Sequence, residues 1–394
     1  METRRLPACE KSQLRLGYLR LTDSAPVIMA QELGLYAKYD LDVELQREVS
    51  WANLRDKLST GDLDAAQILA PLPLATALGA GGIRADVITG LVLSLNGNAI
   101  TVNPALAAVI AERGGRPAAS ARSTAVALGE WCRARGDATQ LTFASAHSFS
   151  CHTFLLRLWL QAGGINPDRD VRIIVLPPEQ MVDSLARGVI DGYCVGEPWN
   201  SMAVQFGVGA VQATGYQIWN NGIEKVLGVL KSWHQNYPTT HLRLRLALME
   251  ACMWMAEPAN REEAAAVLAR PVYLDCPIDY LQPSLTGRFV FARGQAPQEL
   301  ADFHVFGRFQ AGFPWRSDGE WLLQQTGAML GKQLPAEKVK SLVQQTYRTD
   351  LYRDAARHLN LASPSRDYKP FNQHTDEWQF EPGIRLGPDM VLAP

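Results

Sequence analysis

The feature that most constrains this chain is a repeated alternation. Short apolar strands are followed by helices, with a polar junction at each changeover. Residues 14–21 (LRLGYLRL) alternate with period two and stop at Thr22-Asp23-Ser24-Ala25-Pro26. Thr22 to Ser24 offer N-cap oxygens there, and Pro26 suits a first helical turn, so 27–34 reads as a helix closed by Gly34. Residues 41–47 form a second strand, 50–60 a helix and 61–69 a third strand. A second block follows, with a strand at 87–95, helices at 104–113 and 121–135, a strand at 141–144 and a helix at 153–163. After the apolar run 172–176 come a helix at 181–188 and a short strand at 191–195. This pattern predicts a largely parallel α/β sheet. In such sheets ligands gather beyond the carboxyl ends of strands, where helix N-termini point. Trp51 stands at one such junction, Thr22 and Pro71 at others. Helices return at 241–256, 261–269, 321–331 and 336–347. From Arg357 onward the Pro, Asp and Gly content predicts an irregular tail that wraps or trails.

At 394 residues the chain exceeds one compact core and predicts two lobes, which we place at 1–98 plus 216–394 and at 99–215. A formal net charge of -2 supplies no basic field, which argues against direct nucleic-acid binding. The six cysteines include no CxxC pair, so free, buried thiols are expected rather than a disulfide scaffold or a zinc site. Arg4 and Arg5 precede no apolar run of leader length, and no stretch has the ~18 apolar residues of a membrane helix. The expectation is a cytoplasmic protein.

Catalysis finds little support. GxSxG, HExxH, GxxxxGK[S/T] and a post-strand GxGxxG are all missing. Adjacent Cys151 and His152 do not make a nucleophile pair, because such partners meet in space. Asp62 and Asp64, entering a strand, read as solvated rather than as a carboxylate dyad. The expectation is a binding protein without metal or cofactor.

The most informative stretch runs from Asp191 to Lys231. DGYCVGEPWN leads, some twenty residues later, into NNGIEKVLGVLK. Lys225 is a lone cation in a Gly- and Asn-rich segment bordered by apolar residues. It reads as the counter-ion of a small anion; the plainer alternative is a surface lysine paired with neighbouring Glu224.

Taken in order, LGYLRLTDSAPVIMAQELGLY, SWANLRDKL, DLDAAQILAPLPLA, LNGNAIT, PPEQMV, DGYCVGEPWN and EKVLGV resemble the nitrate/bicarbonate-binding (NrtA/CmpA-like) substrate-binding proteins over most of 14–270. Without an apolar leader the chain is most similar to the NasS-like cytoplasmic nitrate/nitrite sensors of that group. The resemblance implies a two-lobed, type II periplasmic-binding-protein fold with ligand in the cleft, and an anion shell of Trp51, Asn98, His152, Pro178 and Lys225. It also implies a NasT-like RNA-binding antiterminator as partner, held without ligand and released on anion binding. The alternative is a receptor feeding an ABC transporter. Asn98 stands where transport members carry Gln, and Ala52 where they carry Gly. Lys225 stands where bicarbonate-binding relatives carry an acid, which favours nitrate or nitrite.

The chemistry of each position fits that role. Nitrate is planar and only accepts hydrogen bonds, so burying it calls for converging donors and one positive charge. Lys225 supplies an ammonium, His152 an N–H at a helix start, Trp51 an indole N–H and a flat face, and Asn98 an amide. Pro178 offers shape and a carbonyl. Asn98 reads alternatively as turn chemistry in Asn-Gly-Asn. His147 is a nearby decoy, and Glu197 is expected to satisfy backbone donors across the hinge.

Overall fold

The chain's fold is given by a computed structural model describing residues 6–135 and 140–393; Arg4 and Arg5 lie outside the described residues. Eleven strands carry the architecture: β1 (Gln13–Leu19), β2 (Asp42–Glu48), β3 (Ala65–Leu69), β4 (Val87–Ile88), β5 (Val92–Asn96), β6 (Asn98–Val102), β7 (Leu141–Ser145), β8 (Val171–Val175), β9 (Gly192–Gly196), β10 (Ala210–Thr214) and β11 (Ile223–Leu230). The first sheet runs β5–β11–β3–β1–β2, with strand His304–Val305 outside β5 and β4 beside β11. The second runs β10–β6–β9–β7–β8. The result is the expected two-lobed α/β architecture.

Neither sheet is largely parallel, which corrects the simple reading of the alternation. β1 runs parallel to β2 and β3, and β7 parallel to β8 and β9. β11 is antiparallel to β3 and β5, and β6 is antiparallel to β9 and β10. Both reversed strands enter directly after the chain passes from one sheet to the other. Each enters from the other sheet rather than by a crossover from a strand of its own sheet, and it is such crossovers that give parallel neighbours.

The first passage is a single residue long. β5 ends at Asn96 with φ 57°, Gly97 has φ 87°, and β6 begins at Asn98. Turn chemistry therefore falls on Asn96 and Gly97, leaving the Asn98 side chain free for other work. Gly97 is also required sterically, because a Cβ there would lie 2.2 Å from Cε1 of the His304 ring. The second passage (215–222) is braced by the tail. Trp219 bridges Val391, the Asn220 N–H donates to the Met390 carbonyl at 2.9 Å, and the Leu392 N–H donates to the Ile218 carbonyl at 2.7 Å. Arg122 of the second lobe donates to the Ala393 carbonyl. The tail thus wraps, and it is less irregular than expected: it leaves from the end of helix Thr349–His358, and a hairpin of Trp378–Glu381 with Ile384–Leu386 lies within it.

Serine caps set the two helices that matter most below. Ser50 Oγ accepts the Asn53 N–H at 3.1 Å, opening helix Trp51–Thr60. Ser150 Oγ accepts the Thr153 N–H at 3.1 Å, opening Cys151–Ala162. Trp51 and His152 are thereby fixed in first helical turns. All six cysteines are free, four of them buried. Among the described residues no helix is long and apolar enough to cross a membrane.

The lobes also meet at Glu197, in the turn after β9. Its carbonyl accepts the Thr22 N–H at 2.8 Å, and its N–H donates to the Gly97 carbonyl at 3.3 Å. Its carboxylate accepts the Ser201 N–H at 3.1 Å, which is local, so the link across the lobes runs through the backbone. Burial pushes this carboxyl up to about 7, against the lowering effect of Ser201. The folded state therefore holds a proton that the unfolded chain releases near the ordinary carboxyl value. Stability from this group is complete at acid pH and is lost as pH rises through 7. Glu197→Gln should match the wild type near pH 4.5 and exceed it by up to about 3 kcal/mol at pH 8 in urea unfolding. A gap independent of pH would contradict this assignment.

Candidate functional site

Consecutive strand residues normally face opposite sides of a sheet. In β11 the pairing with β5 shifts on either side of Lys225 (Ile223 with Leu95, Lys225 with Ser94, Val226 with Val92). Such a bulge re-aims side chains, and here both Glu224 and Lys225 reach the buried junction of the lobes. Neither is a surface residue: Lys225 is 0% exposed and Glu224 1%.

Lys225 Nζ lies 2.7 Å from Asp23 Oδ2 and 2.8 Å from Glu224 Oε1, and 5.3 Å from the centre of the Trp51 ring. Glu224 Oε1 is also 2.9 Å from His152 Nε2, while Asn98 Nδ2 donates to Glu224 Oε2 at 2.7 Å. Asp23 is held from the other side by Gln67 Nε2 at 2.8 Å. Burial alone would push the Glu224 carboxyl up, but Lys225 and His152 outweigh it and hold it near 2. For Lys225 burial pulls the ammonium down; Asp23 and Glu224 overcome this and raise it above the ordinary lysine value.

Four of the five expected shell residues therefore converge: Trp51 and Lys225 from the first lobe, Asn98 and His152 from the second, since Asn98 opens β6 of the second sheet and lies one residue outside the boundary drawn at 98. Pro178 is buried, but its carbonyl accepts the Met181 N–H and no hydrogen bond or ion pair of the cluster reaches it. His147 stays apart, its Nδ1 accepting the Phe149 N–H at 3.1 Å. Asp23 and Glu224 are the residues that sequence reasoning left out of the shell. Asp23 looks like a helix cap, yet no side chain at 22–24 caps the following helix. Thr22 Oγ1 instead meets His304 Nε2 at 2.9 Å, and Ser24 Oγ donates to the Leu19 carbonyl at 2.7 Å.

Five buried atoms of the cluster make no hydrogen bond of normal geometry: Trp51 Nε1, both ring nitrogens of His152, Asn98 Oδ1 and Asp23 Oδ2. Of these, His152 Nε2 and Asp23 Oδ2 lie within ion-pair distance of Glu224 and Lys225. A buried polar atom left unmatched costs about 1–3 kcal/mol, so a donor such as Trp51 Nε1–H in this position invites an acceptor from outside the chain. The charge balance points the other way. Asp23 and Glu224 against Lys225 leave one negative charge in excess when His152 is neutral.

Cys151 donates its thiol to the Ile223 carbonyl at 3.1 Å, and burial pushes that thiol well up, away from a nucleophilic thiolate. Asp64 is not solvated. It is 5% exposed and accepts from Trp233 Nε1 at 2.9 Å, the Arg15 N–H at 2.9 Å and Lys11 Nζ at 2.5 Å. Among the described residues no group of three or more His, Cys, Asp or Glu is arranged to hold a metal.

Removing the ammonium alone strands two buried carboxylates. Lys225→Met should lower stability by about 3–5 kcal/mol in urea unfolding. The triple variant Asp23→Asn, Glu224→Gln, Lys225→Met should recover most of that loss. A single-variant loss under about 1 kcal/mol would show that the charges are not coupled in this way.

A family model for the NMT1-like family matches residues 7–269. The nitrate import ATP-binding protein NrtC of Synechocystis sp. is 38% identical over 96% of this chain and 55% of its own length. The bicarbonate transport ATP-binding protein CmpC of the same organism is 39% identical over 89% of this chain and 50% of its own length. The chain thus spans about half the length of these curated relatives. The crystal structure of the periplasmic nitrate-binding protein NrtA from Synechocystis PCC 6803 superposes with a TM-score of 0.84 at 29% identity, covering 97% of each chain. With the two-lobed fold and the convergent cleft cluster, these matches establish that the chain belongs to the NMT1-like family, among the NrtA/CmpA-like substrate-binding proteins.

Proposed function

We propose that the two lobes close on nitrate or nitrite held between Trp51, Asn98, His152 and Lys225, with Pro178 shaping the wall. The observation that carries this reading is the unpartnered Trp51 Nε1–H, fully buried beside a buried ammonium where donors from both lobes converge. A planar ion accepting from Lys225 and Trp51 on one side and His152 and Asn98 on the other would bind only when the lobes are together. Ligand would then favour the closed state by its differential affinity for it.

In the finer reading the protein is a cytoplasmic sensor. Without anion it holds a NasT-like antiterminator; with anion it lets that partner go. Release requires that the anion bind better to the partner-free form. The Arg20–Glu179 ion pair, 3.1 Å across the lobes and partly exposed, is the kind of contact that opening would remove from the surface a partner reads. The second reading is a receptor or receptor-like unit of an anion importer, favoured by the transport functions named for the relatives. Loss of a purified NasT-like protein from the complex on adding nitrate supports the sensor; a complex indifferent to nitrate, or none, supports the receptor.

Calorimetric titration with nitrate, nitrite and bicarbonate tests the site itself. Nitrate or nitrite should bind and bicarbonate should not. Saturation near a thousandfold over Kd should add roughly 4 kcal/mol of apparent stability. Trp51→Phe keeps the flat face and removes one donor, and should weaken the anion about tenfold. Unchanged affinity in that variant would place the ligand elsewhere.

A further inference from the structure

Three of the four donors assigned to the anion already face a group of the anion's own shape. A carboxylate is planar and trigonal at carbon, carries one negative charge and only accepts hydrogen bonds, as nitrate does. Glu224 Oε1 lies 2.8 Å from Lys225 Nζ and 2.9 Å from His152 Nε2, and Glu224 Oε2 accepts from Asn98 Nδ2 at 2.7 Å. Of the four donors in the proposed shell, Lys225 and Asn98 donate to Glu224, His152 Nε2 faces it without hydrogen-bond geometry, and Trp51 Nε1–H meets no acceptor.

We infer that Glu224 is a built-in occupant of the anion site, and that an external anion binds by displacing its carboxylate from Lys225, His152 and Asn98. This rests on the proposed anion site and deepens it. An anion placed beside an undisplaced Glu224 would meet two carboxylates, Glu224 and Asp23, against a single ammonium. Such burial is unfavourable. With Glu224 turned away, the same space offers one ammonium and three further donors. The carboxyl stays ionised at neutral pH, since Lys225 and His152 hold it near 2 against burial.

The tethered carboxylate therefore acts as a selectivity filter. Only an anion that fits the same planar donor set, and fits it better, replaces it. It also holds the two lobes together in the absence of ligand, since it joins strand β11 of the first lobe to His152 and Asn98 of the second.

Glu224→Ala and Glu224→Gln in the full chain, titrated with nitrate by calorimetry, test this. Glu224→Ala should bind nitrate at least tenfold tighter than the wild type. Acetate should raise its melting temperature while leaving that of the wild type unchanged, because the free acid refills the vacated donors. Glu224→Gln, which keeps the shape and removes the charge, shows the same direction of change if the alanine variant does not fold. Equal or weaker nitrate binding by the folded variants would overturn the inference and make Glu224 a residue that positions the donors. Silence of the wild type with binding by Glu224→Ala supports it. Silence of every form towards nitrate, nitrite and bicarbonate, with acetate also without effect on Glu224→Ala, would instead overturn the anion site, and this inference with it.

Discussion

A lysine ammonium buried to 0% exposure needs charge to meet it, and the centre of this molecule is built around that need at Lys225. Asp23 comes from the turn after β1, and Glu224 from the bulge of β11. Two carboxylates over-compensate one ammonium, so Glu224 draws donors in turn, and these come from the opposite lobe through His152 and Asn98. Compensation of a single buried charge thus becomes the contact that joins the lobes. The backbone link between Thr22 and Glu197 and the one-residue passage at Gly97 keep the same surfaces in register.

Most of the first-lobe and second-lobe elements were legible from local pattern. The alternation of β1 and β2 and the glycine closing the first helix each announce themselves within a few residues, whereas the caps at Ser50 and Ser150 emerged only with the structure. β11 did not. Its Gly228 and its Glu-Lys pair break the alternation that marks a strand, and the bulge that places both charges is a tertiary feature. The same limit applies to partners. Asp23 and Lys225 are 202 positions apart in sequence, and an aspartate three residues before a proline reads as a cap until its distant partner is known. Asp64 was misread for the same reason, because Lys11 and Trp233 are remote from it in sequence. Lys225 drew notice as a lone cation among apolar residues, but Trp51, Asn98 and His152 came from family resemblance, since nothing local to them identifies a ligand.

The site chemistry is common to a sensor and to a transport receptor. Both need lobes whose closure is worth more with anion than without, and the interlobe network supplies a closed arrangement that stands on protein groups alone. That arrangement favours tuning over raw affinity. An anion gains only the difference between its own contacts and those of the carboxylate it replaces. A sensor benefits from such a difference, because its response threshold is then set by one side chain rather than by the whole shell.

The most direct measurement is a crystal structure of the protein grown with nitrate. The account predicts a planar anion within hydrogen-bond distance of Lys225 Nζ, Trp51 Nε1 and His152, with the Glu224 carboxylate turned out of the donor set. Nitrate bound away from this cluster, or bound inside it with Glu224 unmoved against His152 and Asn98, would contradict the account.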